Sequence, residues 1–298
     1  MKTINPPKTP LISSHTLLFP VCFPLRSFPS NRNPLKIMSP KSEHNPLDKL
    51  SLLDCSRKED VLGAIKGGLS NCLFETNLHL TVPGLKSKTR GKVRDVYDGG
   101  KYLVLVTTDR HSAFDRVLAS LPFKGQILNE TSLWWFDRTI HITPNAFVFV
   151  VDKNVMIAKK CSLFSVEFVV RGYVTGSTDT SLWTIYNKGV RNYCGNALPD
   201  GLVKNQKLQK NIITPTTKPE DDDVHVTTRE IIKLGLMTEA EYDEASTKAL
   251  SLFQLGQHVS LEHGLILVDT KYEFGKRSDG SILLVDGALL VCSIAPML

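Results

Sequence analysis

The chain has 298 residues and a formal charge of +6, from 36 basic and 30 acidic side chains, with 42% hydrophobic residues. That composition suits an ordinary soluble globular protein and excludes wholesale disorder, collagen and coiled coil; no stretch approaches the ~18 apolar residues of a membrane span. Lys2, Lys8, Arg26, Arg32, Lys36 and Lys41 all precede the first acid, Glu43, so residues 43–298 are charge-balanced and the basicity does not argue for nucleic acid.

Residues 1–42 hold eight of the 16 prolines, nine Ser or Thr and no acid. Such a segment buries too little apolar surface to offset its ordering entropy. An acid-free, Ser-rich, basic N-terminus reads as an organelle transit peptide, with plastid ahead of mitochondrion. Two alternatives stay open: a secretory signal built on 17–23, which Pro20 and Pro24 flank or interrupt, and a tail without an address. Six cysteines form no C-x-x-C pair, which points to reduced thiols.

Residues 43–75 read as a polar linker with short helical pieces such as 58–65, broken by Gly67-Gly68. The folded body is expected from about Phe74. Strands are predicted over 91–97 and 102–107 around an Asp98-Gly99-Gly100 turn, a hairpin. A helix follows at 131–138, then strands at 146–151 and 164–171. Two helices open on capping boxes, Thr227 with Glu230 and Thr238 with Glu241. The second places Tyr242, Ala245, Ala249, Leu252, Phe253 and Gly256 on one face and ends at Gly264. Strands return over 265–275 and 281–286. The order predicts an α+β fold in two lobes, with 1–73 as leader and linker, 74–167 as the first lobe and 168–298 as the second.

The sharpest chemical pattern lies near the C-terminus. Asp269, Lys271 and Glu273 alternate along one strand and share a face. Asp279-Gly280 predicts a two-residue hairpin that sets Ser278 against Ser281 and, in register, Glu273 against Asp286. Paired carboxylates repel unless a positive charge lies between them. Either a hard cation such as Mg2+ fills that role, or the face is simply exposed with Lys271 as counterion. Gly91, Lys92 and Arg94 could meet phosphates from a glycine-opened hairpin, although most such hairpins are merely solvated. Asp109, Arg110, Ser112 and Asp115 follow a strand end, where loop residues often bind ligand. Arg171 suits a phosphate or carboxylate fork, and Lys218 leads into the acidic run 220–223. Each of these alone is better explained as loop or cap.

Together and in order, the segments from Phe74 to Asp286 resemble the SAICAR synthetase family of purine biosynthesis. The resemblance is most specific at Val166-Glu167-Phe168-Val169-Val170-Arg171-Gly172-Tyr173-Val174-Thr175-Gly176-Ser177 and at Leu267-Val268-Asp269-Thr270-Lys271-Tyr272-Glu273-Phe274-Gly275. The stretch 201–208 is similar to plant members, which carry plastid leaders. The resemblance implies a two-lobed fold related to kinase and ATP-grasp architectures. It also implies an ATP-dependent ligase that joins L-aspartate to carboxyaminoimidazole ribonucleotide (CAIR) through an acyl phosphate.

Carried over by motif, Gly91, Lys92 and Arg94 would meet the ATP phosphates. Glu273 and Asp286 would hold Mg2+, Lys271 would contact the nucleotide and Asp269 would orient it. Arg171 and Ser177 would serve the ribonucleotide, while Asp109, Arg110, Ser112, Asp115, Lys218 and Asp223 would line the cleft. The expected partners are small molecules, with no nucleic acid and no membrane; a homo-oligomer is left open. After Asp286 the family pattern of Glu and a Ser-Arg segment is replaced by apolar residues, and Asp222 stands where the family usually has His. These departures carry the alternative to an active ligase: a truncated, catalytically impaired chain that binds nucleotide without turnover.

Overall fold

The computed structural model describes residues 55–113, 116–217, 224–286 and 292–296, with backbone alone at 55–58, 286 and 292–296. The expected leader, and Asp115, Lys218, Asp222 and Asp223, lie outside the described residues. The chain opens with α1 (Cys55–Gly68), so Gly67-Gly68 ends the helix instead of interrupting a linker. Then come β1 (Lys88–Arg90), β2 (Arg94–Asp98), β3 (Tyr102–Thr107), β4 (Arg110–Ala113), β5 (Arg116–Ser120), α2 (Lys124–Thr139), β6 (Phe147–Asp152) and β7 (Val155–Lys159). The long β8 (Ser162–Val174) leads to α3 (Leu182–Asn187), β9 (Asn192–Tyr193), β10 (Asn196–Ala197), β11 (Gln206–Thr217) and β12 (Val224–His225). Last come α4 (Thr228–Lys233), α5 (Glu239–Glu262), β13 (Leu265–Lys276), β14 (Ile282–Asp286) and β15 (Cys292–Pro296).

Two antiparallel sheets dominate this α+β fold. One has the order β1-β2-β3-β7-β6; the other runs β12-β11-β8-β13-β14, with β15 also paired to β13. The expected boundary at residue 167 falls inside β8, which runs unbroken at the centre of the second sheet. The chain therefore changes sheets at the β7–β8 connection.

Alternation explains why the second sheet has a dry face and a polar one. Phe168, Val170, Tyr272 and Phe274 are all at most 1% exposed. They join Tyr242, Ala245, Ala249, Leu252 and Phe253 of α5 in the main core. Both capping boxes form: Thr227 and Thr238 each accept from the backbone N–H three residues on, and Glu230 and Glu241 return the bond. Gly264, at φ +70, stops α5 in a conformation that favours glycine. The first sheet meets the second where Ala146 N–H donates to Leu284 O (3.0 Å) and Leu284 N–H to Pro144 O (2.9 Å). Ala146, Ala158 and Leu283 pack around that seam.

Candidate active site

The face opposite α5 carries the charged residues. Register places Glu167 of β8 directly against Glu273 of β13, and Glu273 against Asp286 of β14. A row of three acidic positions thus crosses three adjacent strands. Thr216 of β11 extends it on the far side of Glu167.

The Glu273–Asp286 pairing agrees with the sequence count, but by another route. The turn is not a two-residue hairpin. Lys276 pairs with Ile282 across the wider Arg277–Ser281 connection, and a bulge at Val285 then restores the register at Glu273. Two one-residue offsets cancel.

Lys271 supplies the positive charge along this row. Its Nζ lies 2.7 Å from Glu167 Oε1 and 3.4 Å from Glu273 Oε1. Thr216 Oγ1 donates to the other Glu167 oxygen at 3.2 Å. Burial works against the charge of Lys271, but the Glu167 hydrogen bond and the two carboxylates outweigh it and raise its pKa above the ordinary lysine value. Lys271 is therefore a fixed cation at any physiological pH.

One step further along, Arg171 pairs in register with Asp269. Its Nε donates to Thr214 Oγ1 at 2.9 Å, and its Nη1 stands 3.9 Å from Asp269 Oδ2. Arg171 is 9% exposed, so a held guanidinium edge faces the same surface as Lys271. Ser177 lies just past the end of β8 in an exposed loop.

In the first sheet, Gly91–Val93 form the turn between β1 and β2, not part of a strand, and Gly91 N–H closes it on Arg94 O at 2.7 Å. Gly91 and Lys92 are exposed and Arg94 is half-buried. The turn is held from within by Arg110, whose Nε and Nη2 donate to the carbonyls of Lys92 (3.1 Å) and Gly91 (2.9 Å).

Arg110 corrects an expectation. Instead of lining a cleft it is 0% exposed, with further bonds to Phe74 O and to Asp95 Oδ1. Asp109 is likewise structural: it accepts from Leu73 N–H (2.7 Å) and from Gly125 N–H (2.9 Å) in the first turn of α2. Ser112 sits half-buried on β4. The structure thus gathers Asp269, Lys271, Glu273 and Arg171 on one face and puts the Gly91–Arg94 turn on the other sheet. Glu167 joins this face beside them. Its alternation with Arg171 on one strand was the available signal; its pairing with Glu273, across more than a hundred residues, was not readable locally.

Whether Mg2+ suits this row follows from the donors. All are carboxylate oxygens, the set a hard divalent cation takes. Among the described residues no three acidic, His or Cys side chains converge into a preformed metal cluster; Lys271 stands between Glu167 and Glu273. Glu273, beside the lysine, is a donor of the kind such a cation takes, and Asp286 is its partner by backbone register.

Comparison with known proteins decides the family. The SAICAR synthetase family model matches residues 87–288. The chain belongs to the SAICAR synthetase family. The Vigna aconitifolia phosphoribosylaminoimidazole-succinocarboxamide synthase, named chloroplastic, is 72% identical over 237 residues, which are 79% of this chain and 70% of the relative. The Arabidopsis thaliana enzyme of that name, also named chloroplastic, is 69% identical over 251 residues. That match takes in 84% of this chain and 61% of the relative, so the chain spans about six tenths of its length. Among solved structures, the Saccharomyces cerevisiae SAICAR synthase complexed with SAICAR aligns at a TM-score of 0.66 with 27% identity, over 76% of this chain and 80% of that one. A SAICAR synthetase in complex with ADP shares the fold at a TM-score of 0.59 and 22% identity, over 71% of this chain and 84% of that one.

Proposed function

We propose that the chain is the ATP-dependent ligase of purine biosynthesis that joins L-aspartate to CAIR, giving SAICAR, ADP and phosphate. The observation that carries this reading is the polar sheet face, where Arg171, Asp269, Lys271 and Glu273 stand in register within the family-matched stretch. The complexes of the two solved relatives, with SAICAR and with ADP, supply its ligand classes.

A carboxylate is a poor electrophile. In this reading the CAIR carboxylate oxygen attacks the γ-phosphorus and ADP leaves. The aspartate amine then attacks the acyl carbon of the resulting acyl phosphate, and phosphate departs with the C–O bond electrons. Little covalent work falls to the protein, so positioning and charge neutralisation dominate. The Gly91–Lys92–Arg94 turn meets the ATP phosphates, and Lys271 neutralises charge on the nucleotide side, oriented with Asp269. Glu273 and Asp286 hold Mg2+, which shields the phosphate oxygens when bound. Arg171 and Ser177 receive the ribonucleotide, with Ser112 at the remainder of the cleft. We place the mature chain in the plastid, on the names of its plant relatives.

A second reading is nucleotide binding without turnover, with the ADP complex of a solved relative as its ligand class. A steady-state assay with ATP, L-aspartate and CAIR, run beside ADP calorimetry, separates the two. Product formation supports the ligase; heat of ADP binding with no product supports the second reading.

A further inference from the structure

We propose that Thr214 is a positioning residue for the ribonucleotide: its buried hydroxyl holds the Arg171 guanidinium in one plane and leaves the Nη groups to the ligand. Thr214 acts through Arg171, so the inference rests on the reading that Arg171 receives the ribonucleotide and adds a residue to it.

β11 and β8 are antiparallel neighbours, with Thr214 opposite Val169 and Ile212 opposite Arg171. Thr214 is therefore the diagonal neighbour of Arg171 on the same sheet face, a span that a long side chain bridges. Its hydroxyl is used from both sides. The oxygen accepts from Arg171 Nε at 2.9 Å, while the hydroxyl donates to Val169 O at 3.4 Å. Thr214 is 0% exposed and β-branched, so the acceptor has little freedom to swing away. Nη1 of Arg171 stands 3.9 Å from Asp269 Oδ2, an ion-pair distance too long for a hydrogen bond. Among the described residues Nε is the one group of this guanidinium that makes a hydrogen bond. The guanidinium is planar, so fixing Nε fixes the direction of the Nη edge. That edge is the one that grips a carboxylate or phosphate through two parallel bonds. A side chain held in this way does not have to be ordered when the ligand arrives. Without the hydroxyl, Nε would lose its acceptor and the plane would be free to turn.

The test is calorimetric binding of SAICAR, the ligand held by the yeast relative, with ADP binding as the control. T214V keeps the shape and removes the acceptor. Its Kd for SAICAR is expected to rise about tenfold, the scale of a lost hydrogen bond to a charged group. Its Kd for ADP should stay within about twofold of the unmodified chain. T214S restores the acceptor and is expected to return SAICAR binding to within about threefold. R171M should weaken SAICAR at least as much as T214V, and T214V/R171M should be no weaker than R171M alone, because the hydroxyl then has nothing to hold. An unchanged SAICAR constant in T214V beside a weakened R171M overturns the proposal and leaves the Arg171 reading standing. An unchanged constant in R171M, or no SAICAR binding by the unmodified chain, overturns that reading and this inference with it. A T214V loss that recurs in full on the R171M background also overturns the proposal, because Thr214 would then act independently of Arg171. A loss shared by ADP or not relieved by T214S does the same, as the mark of a fold support. Circular dichroism checks each variant for folding. If T214V does not fold, T214A carries the test with the same expected rise, and no change there overturns the proposal.

Discussion

Arg110 and Asp95 form an ion pair at 2.9 Å with both side chains fully buried. The same guanidinium holds the carbonyls of Gly91 and Lys92, and Asp95 also accepts from the backbone and hydroxyl of Thr76 (2.7 and 2.9 Å). One buried pair therefore fixes the shape of the exposed turn proposed to meet phosphate. Truncating Arg110 strands a buried carboxylate and several carbonyls, a change that costs about 3–5 kcal/mol. R110M is expected to lower the urea midpoint accordingly, with an unchanged denaturant slope.

Asp95 predicts an acid limb. Burial raises its pKa, but the Thr76 and Arg110 hydrogen bonds outweigh this and hold it below the usual carboxylate value. A depressed folded pKa means stability that is fully present above the unfolded value of about 4 and is lost as pH falls through the folded one. Unfolding free energy measured from pH 6 to pH 2 should drop below about pH 4. D95N should be less stable at neutral pH and show a shallower drop.

Arg171 gives a kinetic prediction. Its Nε bond to Thr214 sets the plane of the guanidinium, and lysine cannot reproduce the fork. R171K is expected to raise KM for CAIR about tenfold or more, with KM for ATP nearly unchanged. Equal rises in both would place Arg171 elsewhere in the cleft.

The cap of α5 separates stability from activity. Thr238 accepts from Glu241 N–H at 3.3 Å on the far side of the sheet from the charged face. T238A should cost about 1 kcal/mol, or roughly 2–4 °C in Tm for a domain of this size. Its KM values should match those of the unmodified chain.

Both capping boxes and the apolar stripe of α5 were legible because their signals lie within a few residues. The Glu273–Asp286 pair was legible only in its outcome, since the wider turn and the bulge at Val285 compensate. β11 was hidden: Pro215 reads against a strand because it lacks an N–H, yet it pairs with Phe168 inside the sheet. Asp109 and Arg110 looked like loop ligands because burial by Leu73, Phe74 and the Gly91 turn is a tertiary fact. Glu167 shows the same limit, as its contacts with Lys271 and Glu273 exist only once β8 and β13 are neighbours.

Turnover tests the proposed ligase most directly. Purified chain with ATP, L-aspartate, CAIR and Mg2+ should release ADP and SAICAR in equal amounts, and K271M should lower kcat by about a hundredfold, the scale of one lost charge-stabilising group. ADP binding without any SAICAR, or a K271M variant as fast as the unmodified chain, would contradict it.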